Sequence, residues 1–251
     1  MYYIGVDLGT SAVKLLLMDA DGKILNVVSR DYPLMFPHPG WSEQDPEDWI
    51  RETEEGIREL IAQFDRKQIA GIGCGGQMHG LVALDAEDRV IRPAILWNDG
   101  RTEEETAWLN GEIGKARLSA LTANIAFAGF TAPKLLWMKN YEPENFARIR
   151  KIMLPKDYIR FMLTGEFATE VSDASGMQLL DVPKRQWSDE ILDKLGIDKS
   201  LLAKVYESPE ITGTINKQAA QLTGLQEGTP VVGGAGDNAA AAVGTGVVTD
   251  G

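Results

Sequence analysis

The sequence YIGVDLGTSAVKLLLM, residues 3–18, joins two apolar strands through a short polar turn. Aliphatic residues dominate the predicted strands Tyr3–Asp7 and Val13–Met18, and glycine and hydroxyl residues fill the turn between them. Asp21-Gly22 follows as a second turn signal, before the apolar run Lys23–Val28. The stretch therefore predicts three strands in a row, joined by hairpin turns.

Helices and strands share the rest of the chain. A helix is predicted from Asp45 to Phe64, because Asp45 can cap it and Pro46 suits its first position. A buried strand, Ile69–Cys74, follows, and residues 101–202 are predicted to be mainly helical. Further strands are expected at Leu81–Leu84, Arg92–Trp97 and Pro230–Gly233, with a helix beginning at Asn238. This order predicts an α/β domain with a mixed sheet, opening β-hairpins and flanking helices.

Composition limits the class of protein. The 251 residues are 44% hydrophobic and 25% charged, as in ordinary globular proteins, with a net charge of −12. That charge argues against nucleic-acid binding, and any chemistry with ATP would need Mg²⁺ and locally placed donors. No membrane span is expected, because charges and helix breakers interrupt every run of about 20 residues. The single cysteine, Cys74, and a start without a signal-peptide pattern predict a cytoplasmic location.

The turn between the first two strands is a candidate phosphate site. The backbone N–H groups of Gly9, Thr10 and Ser11, with two hydroxyls, could face a phosphate as an anion-binding nest does. Lys14 could add a positive charge, and Asp7 could hold magnesium directly or through water. The turn is not a P-loop, since neither Gly-Lys-Ser/Thr nor a helix follows it. An ordinary turn with a capping aspartate is the alternative.

A glycine-rich segment, residues 233–238, leads from a strand into a helix. Asp237 lies at the predicted helix start, where a carboxylate is stabilised as the anion and could accept a proton from a hydroxyl. A helix-capping role is the alternative. Gly234, Gly236 and Ala239 also fit the dinucleotide-binding fingerprint of a nicotinamide-dependent oxidoreductase. That fingerprint needs a second strand and an acid about 20 residues on, and only 12 residues follow Ala239.

Two further strand ends carry side chains suited to a sugar. The loop Gly75–Gly80 holds Met78 and His79 among three glycines, which implies a close approach to the backbone. His79 could donate to a sugar hydroxyl, although a lone histidine also suits a structural role, and no neighbouring ligands support a metal. Trp97 and Asp99 offer an aromatic face and an acid. A core position for Trp97 and a plain turn at Asp99 are the alternatives.

The order of these motifs is more specific than any one of them. It closely resembles that of the FGGY carbohydrate kinases, over essentially all 251 residues. The segments that carry the resemblance are Asp7–Ser11, Trp41–Pro46, Gly76–Gly80, Trp97–Arg101, Phe130–Trp137, Leu154–Tyr158 and Gly236–Asn238.

The resemblance implies an RNase H-like domain of the actin-like ATPase superfamily, with ATP and Mg²⁺ as cofactors. It makes Asp237 the catalytic base and places Asp7 near magnesium and the phosphates. It also implies a phosphate turn at Gly9, Thr10 and Ser11, with Lys14 nearby, and sugar contacts at Met78, His79, Trp97, Asp99 and Asn238. Met78-His79 favours kinases of ketopentoses such as xylulose over those of glycerol, whose pattern has Arg-Glu there.

Because members of this family are roughly twice as long, residues 1–251 are expected to form an N-terminal sugar-binding domain. Residues of about 101–202 would be a mainly helical insertion, and 244–251 would lead towards a C-terminal ATP-binding domain. That domain and a small-molecule sugar are the expected partners, with a homodimer left open and neither nucleic acid nor membrane expected. The alternatives are a sugar-binding fragment without turnover, and a kinase of the same family acting on ribulose, glycerol or another polyol.

Overall fold

The computed structural model of the protein describes residues 1–248, and 249–251, at the end of the predicted approach to a C-terminal domain, lie outside them. The strands are β1 (Tyr2–Leu8), β2 (Ala12–Asp19), β3 (Ile24–Asp31), β4 (Glu43–Gln44), β5 (Ile69–Gly76), β6 (Val82–Leu84), β7 (Ala94–Ile95), β8 (Lys151–Met153), β9 (Ala168–Glu170), β10 (Leu180–Asp181), β11 (Gln186–Trp187), β12 (Lys204–Tyr206), β13 (Ile211–Thr214), β14 (Pro230–Val232) and β15 (Ala235–Gly236). The helices are α1 (Pro46–Leu60), α2 (Glu103–Leu109), α3 (Lys115–Thr122), α4 (Thr131–Tyr141), α5 (Pro143–Arg148), α6 (Pro155–Thr164), α7 (Val171–Ala174), α8 (Asp189–Leu195), α9 (Lys217–Thr223) and α10 (Asp237–Gly244).

A seven-stranded mixed sheet forms the centre of the domain, in the order β13-β14-β5-β1-β2-β3, with β15 also on β5. β1, β2 and β3 are successive antiparallel strands, so the predicted hairpins are confirmed. β5 runs parallel to β1, β14 and β15. The α/β prediction with a mixed sheet is therefore confirmed, and helices α2–α8 with short strands β8–β11 fill the stretch predicted to be mainly helical.

Helix α1 begins as its sequence predicts. The Asp45 carboxylate accepts a hydrogen bond from the backbone N–H of Glu47, and Pro46 occupies the first turn, where its missing N–H costs nothing. The apolar stripe of α1 includes the fully buried Trp49 and Ile57. With α6 and α9, this helix packs against the sheet and forms the larger of two hydrophobic cores.

The second hydrophobic core lies among the helices of the middle of the chain, around Leu135, Leu154, Met177 and Leu192. It supports the loop that leaves β5, because the first residues of α4 and α6, Thr131 and Pro155, lie against that loop at His79 and Gly80. In the described part of the chain, no helix combines the length and the apolar character that crossing a membrane requires.

Three loops leave the sheet side by side at one edge. In β5, Gly76 is the register partner of Leu8 in β1 on one side and of Gly236 in β15 on the other. A side chain at position 76 would not fit, because a Cβ there would lie 2.7 Å from the Cβ of Leu8. The turn after Leu8, the loop after Gly76 and the helix after Gly236 therefore start at neighbouring points.

Candidate active site

The predicted phosphate turn, Gly9–Ser11, connects β1 to β2. The N–H of Gly9 donates to the carbonyl of Ala12 at 3.1 Å and closes the turn. Within residues 1–248, the N–H groups of Thr10 and Ser11 have no hydrogen-bond partner. The turn therefore has two backbone donors free for an anion, rather than the three that the sequence suggests.

Each of the three carbonyl groups of this turn accepts a hydrogen bond from elsewhere in the protein. Tyr32 Oη donates to the carbonyl of Gly9, Gln44 Nε2 donates to that of Thr10 at 2.6 Å, and the N–H of Tyr32 donates to that of Ser11 at 3.3 Å. A hydrogen-bonded carbonyl cannot turn towards an anion, so these contacts favour a turn that presents donors. Neither Tyr32 nor Gln44 is predicted from the local sequence.

Asp7 lies beside Lys14 and interacts electrostatically with Asp237. Asp7 and Lys14 are register partners in the first hairpin. The Asp7 side chain is open to solvent on one side, but the surrounding chain partly withdraws it from water and raises its pKa. Lys14 acts against this shift, and the negative charge of Asp237 adds to it. The negative charges of Asp7 and Asp237, which act on each other at this end of the sheet, favour a cation there.

Asp237 follows a distorted strand and opens α10. Gly234 has a φ of +82°, and a Cβ there would lie 1.8 Å from the carbonyl oxygen of Cys74, so only glycine fits. Gly236 is the N-cap residue, and Asp237 is exposed at the first helical position, so the capping alternative is wrong. The glycines serve packing against β5, which removes the basis for the dinucleotide fingerprint.

His79 is fixed in position and in tautomer. Its φ is +66°, its ring stacks on Phe130 with centroids 4.2 Å apart, and its Nδ1 lies 2.9 Å from the carbonyl oxygen of Gly176. A carbonyl can only accept, so Nδ1 carries the proton and donates. Burial lowers the pKa of His79 and Lys134 lowers it further, whereas the Gly176 carbonyl and Asp237 oppose the shift.

The neutral ring of His79 therefore has a lone pair on Nε2, and within residues 1–248 this nitrogen has no hydrogen-bond partner. The sequence suggests a donor to a sugar hydroxyl, and the geometry corrects this: Nε2 is an acceptor.

Met78, in the loop after β5 that also holds His79, lies against the start of α10. A Cβ on Gly236 would lie 2.9 Å from the Met78 sulfur, and one on Gly176 would lie 3.3 Å from its methyl carbon. The amide of Asn238 is 4.0 Å from the same sulfur. Met78, His79, Asp237 and Asn238 are thus brought together.

Trp97 is not a core residue. Its side chain is 49% exposed, and its Nε1 donates to Thr10 Oγ1 at 3.0 Å, which joins it to the phosphate turn. The loop of Gly129 approaches so closely that a Cβ there would lie 2.1 Å from the Trp97 carbonyl oxygen. The exposed ring therefore stands beside the other predicted site residues.

Asp99, in contrast, faces inwards. Its Oδ1 accepts from Nε and the backbone N–H of Arg101, and its Oδ2 accepts from Arg101 Nη2 and from the N–H of Ser42 at 2.6 Å. The guanidinium of Arg101 also pairs with Glu43 at 2.7 Å and lies 3.7 Å from the centre of the Trp41 ring. Both oxygens of Asp99 are occupied, so the sugar contact predicted for it has no geometric support.

A buried lysine supports the histidine loop. Lys134, fully buried in α4, donates to the carbonyls of His79 at 2.8 Å and Gly129 at 2.6 Å. Burial lowers the pKa of its ammonium well below the usual value; Asp99 opposes that shift, and Arg101 adds to it. In the sequence, this lysine stands out only as part of the motif Phe130–Trp137, because its two acceptors lie in loops that are distant along the chain.

The chain matches the N-terminal domain model of the FGGY family of carbohydrate kinases over residues 2–244. It is 46% identical to the xylulose kinase of Escherichia coli K12 over 98% of its own length and 50% of that protein. The chain spans about half the length of the curated relatives that it matches.

Solved structures agree with the fold. The xylulose kinase of Rhodospirillum rubrum superposes with a TM-score of 0.96 at 30% identity, over 99% of this chain and 51% of that one. The gluconate kinase of Lactobacillus acidophilus gives a TM-score of 0.89 at 31% identity, over 94% and 48% of the two chains. These neighbours are sugar kinases with the actin-like ATPase fold. The chain belongs to the FGGY family of carbohydrate kinases, whose N-terminal domain it matches.

Proposed function

We propose that this chain is the sugar-binding and base-carrying half of an ATP-dependent kinase that converts D-xylulose to D-xylulose 5-phosphate. Similarity to xylulose kinases over nearly the whole chain supports the activity class. The span of about half their length supports a second, C-terminal domain as the partner that binds most of the ATP.

The convergence of three loops at Gly76 carries the proposal. Its register partners, Leu8 and Gly236, lie one strand away on either side, so the phosphate turn and Asp237 start roughly 10 Å apart. Met78 and His79 follow Gly76 directly, between those two points. An attacking hydroxyl beside Met78-His79 would thus have a base on one side and phosphate donors on the other.

In the proposed reaction, the Asp237 carboxylate orients the terminal hydroxyl of the sugar and accepts its proton as the oxygen attacks the γ-phosphorus. The bond between the γ-phosphorus and the β–γ bridging oxygen breaks, and ADP leaves. The N–H groups of Thr10 and Ser11 donate to phosphate oxygens, on which negative charge is spread. Lys14, on the strand after the turn, adds a positive charge nearby. These residues serve positioning and charge stabilisation, the two tasks that phosphoryl transfer requires of a protein.

The residues present fit magnesium that arrives with a nucleotide. Among residues 1–248, no group of three or more acidic, histidine or cysteine side chains could enclose a metal ion. Mg²⁺ commonly uses one or two carboxylates, together with phosphate oxygens and water. Asp7 would be that carboxylate. Burial raises its pKa, Lys14 opposes that shift and the charge of Asp237 adds to it, and a bound cation would favour the ionised form. The ion would neutralise charge on the phosphates.

The proposed sugar contacts are Met78, His79, Trp97 and Asn238, with Asp99 left out because it is buried in ion pairs. Nε2 of His79 would accept from one hydroxyl, and the Asn238 amide, 4.0 Å from the Met78 sulfur, would contact another. The exposed Trp97 ring suits the apolar face of a sugar. A cytoplasmic location and a homodimer remain predictions. The sole cysteine, Cys74, is buried and not in a disulfide, and burial raises its pKa to about 11.

A sugar-binding domain without turnover of its own is the second candidate, favoured by the half-length span. Calorimetric titration of this chain with D-xylulose, D-ribulose, L-ribulose, glycerol and gluconate tests the sugar site. We expect weak binding with D-xylulose preferred, no tight binding of Mg-ATP, and no ADP release in a coupled assay. A two-domain protein made with a C-terminal half should release ADP with D-xylulose. Steady turnover by the single domain, or preference for glycerol, would contradict the proposal.

A further inference from the structure

One short segment hydrogen-bonds to both sides of the candidate site. It comprises α7 and the following turn, residues 171–177, and we call it the bridging segment. Near its end, the carbonyl of Gly176 accepts from Nδ1 of His79 at 2.9 Å. Near its start, Ser172 Oγ accepts from the N–H of Gly236 at 3.1 Å. The segment thus contacts His79, a proposed sugar-binding residue, and Gly236, the residue before the proposed base Asp237.

The hydroxyl of Ser172 has a fixed direction. It donates to Glu170 Oε1 at 2.9 Å, so its hydrogen is committed and a lone pair is available to Gly236. Gly236 is the N-cap of α10, and its orientation sets the first turn of that helix and therefore the place of Asp237. This side-chain contact acts one residue from the carboxylate.

Glu170 is fully buried and holds Ser172 in place through several hydrogen bonds. It accepts from the N–H groups of Ser172 at 2.8 Å and Asp173 at 2.9 Å, and from Ser208 Oγ at 2.7 Å. Lys156 Nζ lies 3.3 Å from it. Burial alone would raise the pKa of Glu170, but the charge of Lys156 and these hydrogen bonds outweigh it and lower that pKa. Glu170 is therefore a stable carboxylate.

Ser208, the second serine that donates to Glu170, also contacts the segment that precedes Asp237. The carbonyl of Ser208 accepts from the N–H of Gly234 at 3.1 Å. Gly233 packs directly on Glu170, since a Cβ at position 233 would lie 3.1 Å from the Cβ of Glu170. Glu170 thus supports the segment before Asp237 through two serines. Ser208 contacts Gly234 through its backbone carbonyl, and Ser172 contacts Gly236 through its side chain.

We propose that Ser172 is a positioning residue for Asp237, and that Glu170 orients Ser172 for this task. The inference rests on the proposed function, in which Asp237 is the base. Ser172 touches neither the sugar nor the phosphate, and it acts by fixing Gly236. His79 donates to the carbonyl of Gly176 in the same segment. The bridging segment therefore positions both the proposed sugar-binding histidine and the proposed base.

The test uses steady-state kinetics of the two-domain protein with D-xylulose. Ser172→Ala removes the acceptor, and we expect kcat to fall roughly 10- to 100-fold, as for a misplacement of about 1 Å, with the KM for sugar unchanged. Ser172→Thr keeps a hydroxyl and should recover most of kcat. Ser175→Ala is the matched control, because Ser175 Oγ donates within the same segment, to the carbonyl of Ser172 at 2.7 Å. It should leave kcat near that of the parent.

Amide hydrogen exchange gives a readout that is independent of activity. In Ser172→Ala, the N–H of Gly236 should exchange faster than in the parent and in Ser175→Ala, at equal melting temperatures. If Ser172→Ala does not fold, the pair Ser172→Thr and Ser172→Val, which have the same shape, carries the same comparison.

Each failure is distinguishable. If Asp237→Asn is inactive but Ser172→Ala keeps the parent kcat, the positioning role is wrong and the proposed function stands. If Ser172→Ala raises KM as much as it lowers kcat, the serine is merely structural and the inference fails. If Asp237→Asn remains active, the proposed base is wrong, whatever Ser172 does.

Discussion

Trp97 donates a hydrogen bond from Nε1 to Oγ1 of Thr10 at 3.0 Å, across 87 residues of sequence. The bond links a ring that is proposed to meet the sugar with a turn that is proposed to meet phosphate. Trp97 is 49% exposed, and this bond fixes the direction of its indole N–H. A defect in one half of the site should therefore be felt in the other.

Trp97→Phe keeps an aromatic face and removes the donor. A neutral hydrogen bond contributes about 0.5–1.5 kcal/mol, so we expect the KM values of the two-domain protein for both sugar and Mg-ATP to rise about 2- to 10-fold. Trp108→Phe is the matched control, because Trp108 is similarly exposed, at 43%, on α2. A change in the sugar KM alone would show that the bond does not couple the two halves.

Asp237→Asn should leave the fold intact and abolish turnover. The amide keeps the shape of the side chain but cannot accept the proton, and a general base contributes on the order of 10²–10⁴ in kcat. The measurement is ADP release by the two-domain protein, with melting temperature as the check on folding. Asp189→Asn is a control at an equivalent place, since Asp189 is the first residue of α8. A variant that kept more than about a tenth of the parent rate would exclude Asp237 as the base.

Local sequence predicts those parts of the molecule that local forces determine. Three features depend on neighbouring residues, and the sequence predicts each of them: the hairpin of β1 and β2, the cap of α1 by Asp45 and the strand-to-helix passage at Asp237. The motif order identifies the family, because it samples the whole chain.

The remaining site geometry depends on contacts between distant segments. The carboxylate of Asp99 is held in the interior by Ser42, 57 residues earlier, as well as by Arg101. The tautomer of His79 is set by Gly176, 97 residues later. Ser172 shows no motif of its own, and its partner, Gly236, is 64 residues away. A single sequence contains no record of such pairs, so they follow only from the fold.

Sugar affinity should depend on pH through His79. Because the pKa of His79 is lowered from 6.5, its ring is neutral above that pH and Nε2 can accept from the sugar. We expect the Kd for D-xylulose to be constant from pH 8 to 7 and to rise as the pH falls below 6.5 and through the lowered pKa. Calorimetry of the chain at four pH values measures this.

His79→Ala should bind D-xylulose more weakly at pH 7.5 and lose that pH dependence. His38→Ala is the matched control, since His38 is the other histidine and lies in the loop beside Trp41. If the parent and His79→Ala weakened equally at low pH, carboxylates such as Asp7 would be the titrating groups, and His79 would return to a structural role.

Asp173 is a buried acid without a hydrogen bond. Neither carboxyl oxygen has a partner within residues 1–248, and the nearest cation, Lys156 Nζ, lies at 3.8 Å and is already shared by Asp157 and Glu170. Burial raises the pKa of Asp173 well above its usual value; Lys156 opposes this shift, and nearby carboxylates, including Asp237, reinforce it. The folded chain therefore favours the protonated acid.

For an acid whose pKa is raised on folding, stability is fully present below the unfolded pKa, near 3.8, and is lost as the pH rises through the folded value. Asp173→Asn mimics the protonated form, so its melting temperature should exceed that of the parent at pH 8, by a margin that shrinks towards pH 5. Asp181→Asn should show the opposite sign: Lys184 lowers the pKa of Asp181, and that stability, present at pH 8, disappears as the pH falls through the lowered value. Thermal melts of the three proteins between pH 2 and 8 measure both, because the lowered pKa of Asp181 lies below 3.8. A lower melting temperature for Asp173→Asn at pH 8 would mean that Asp173 is ionised and that its attraction to Lys156 prevails over burial.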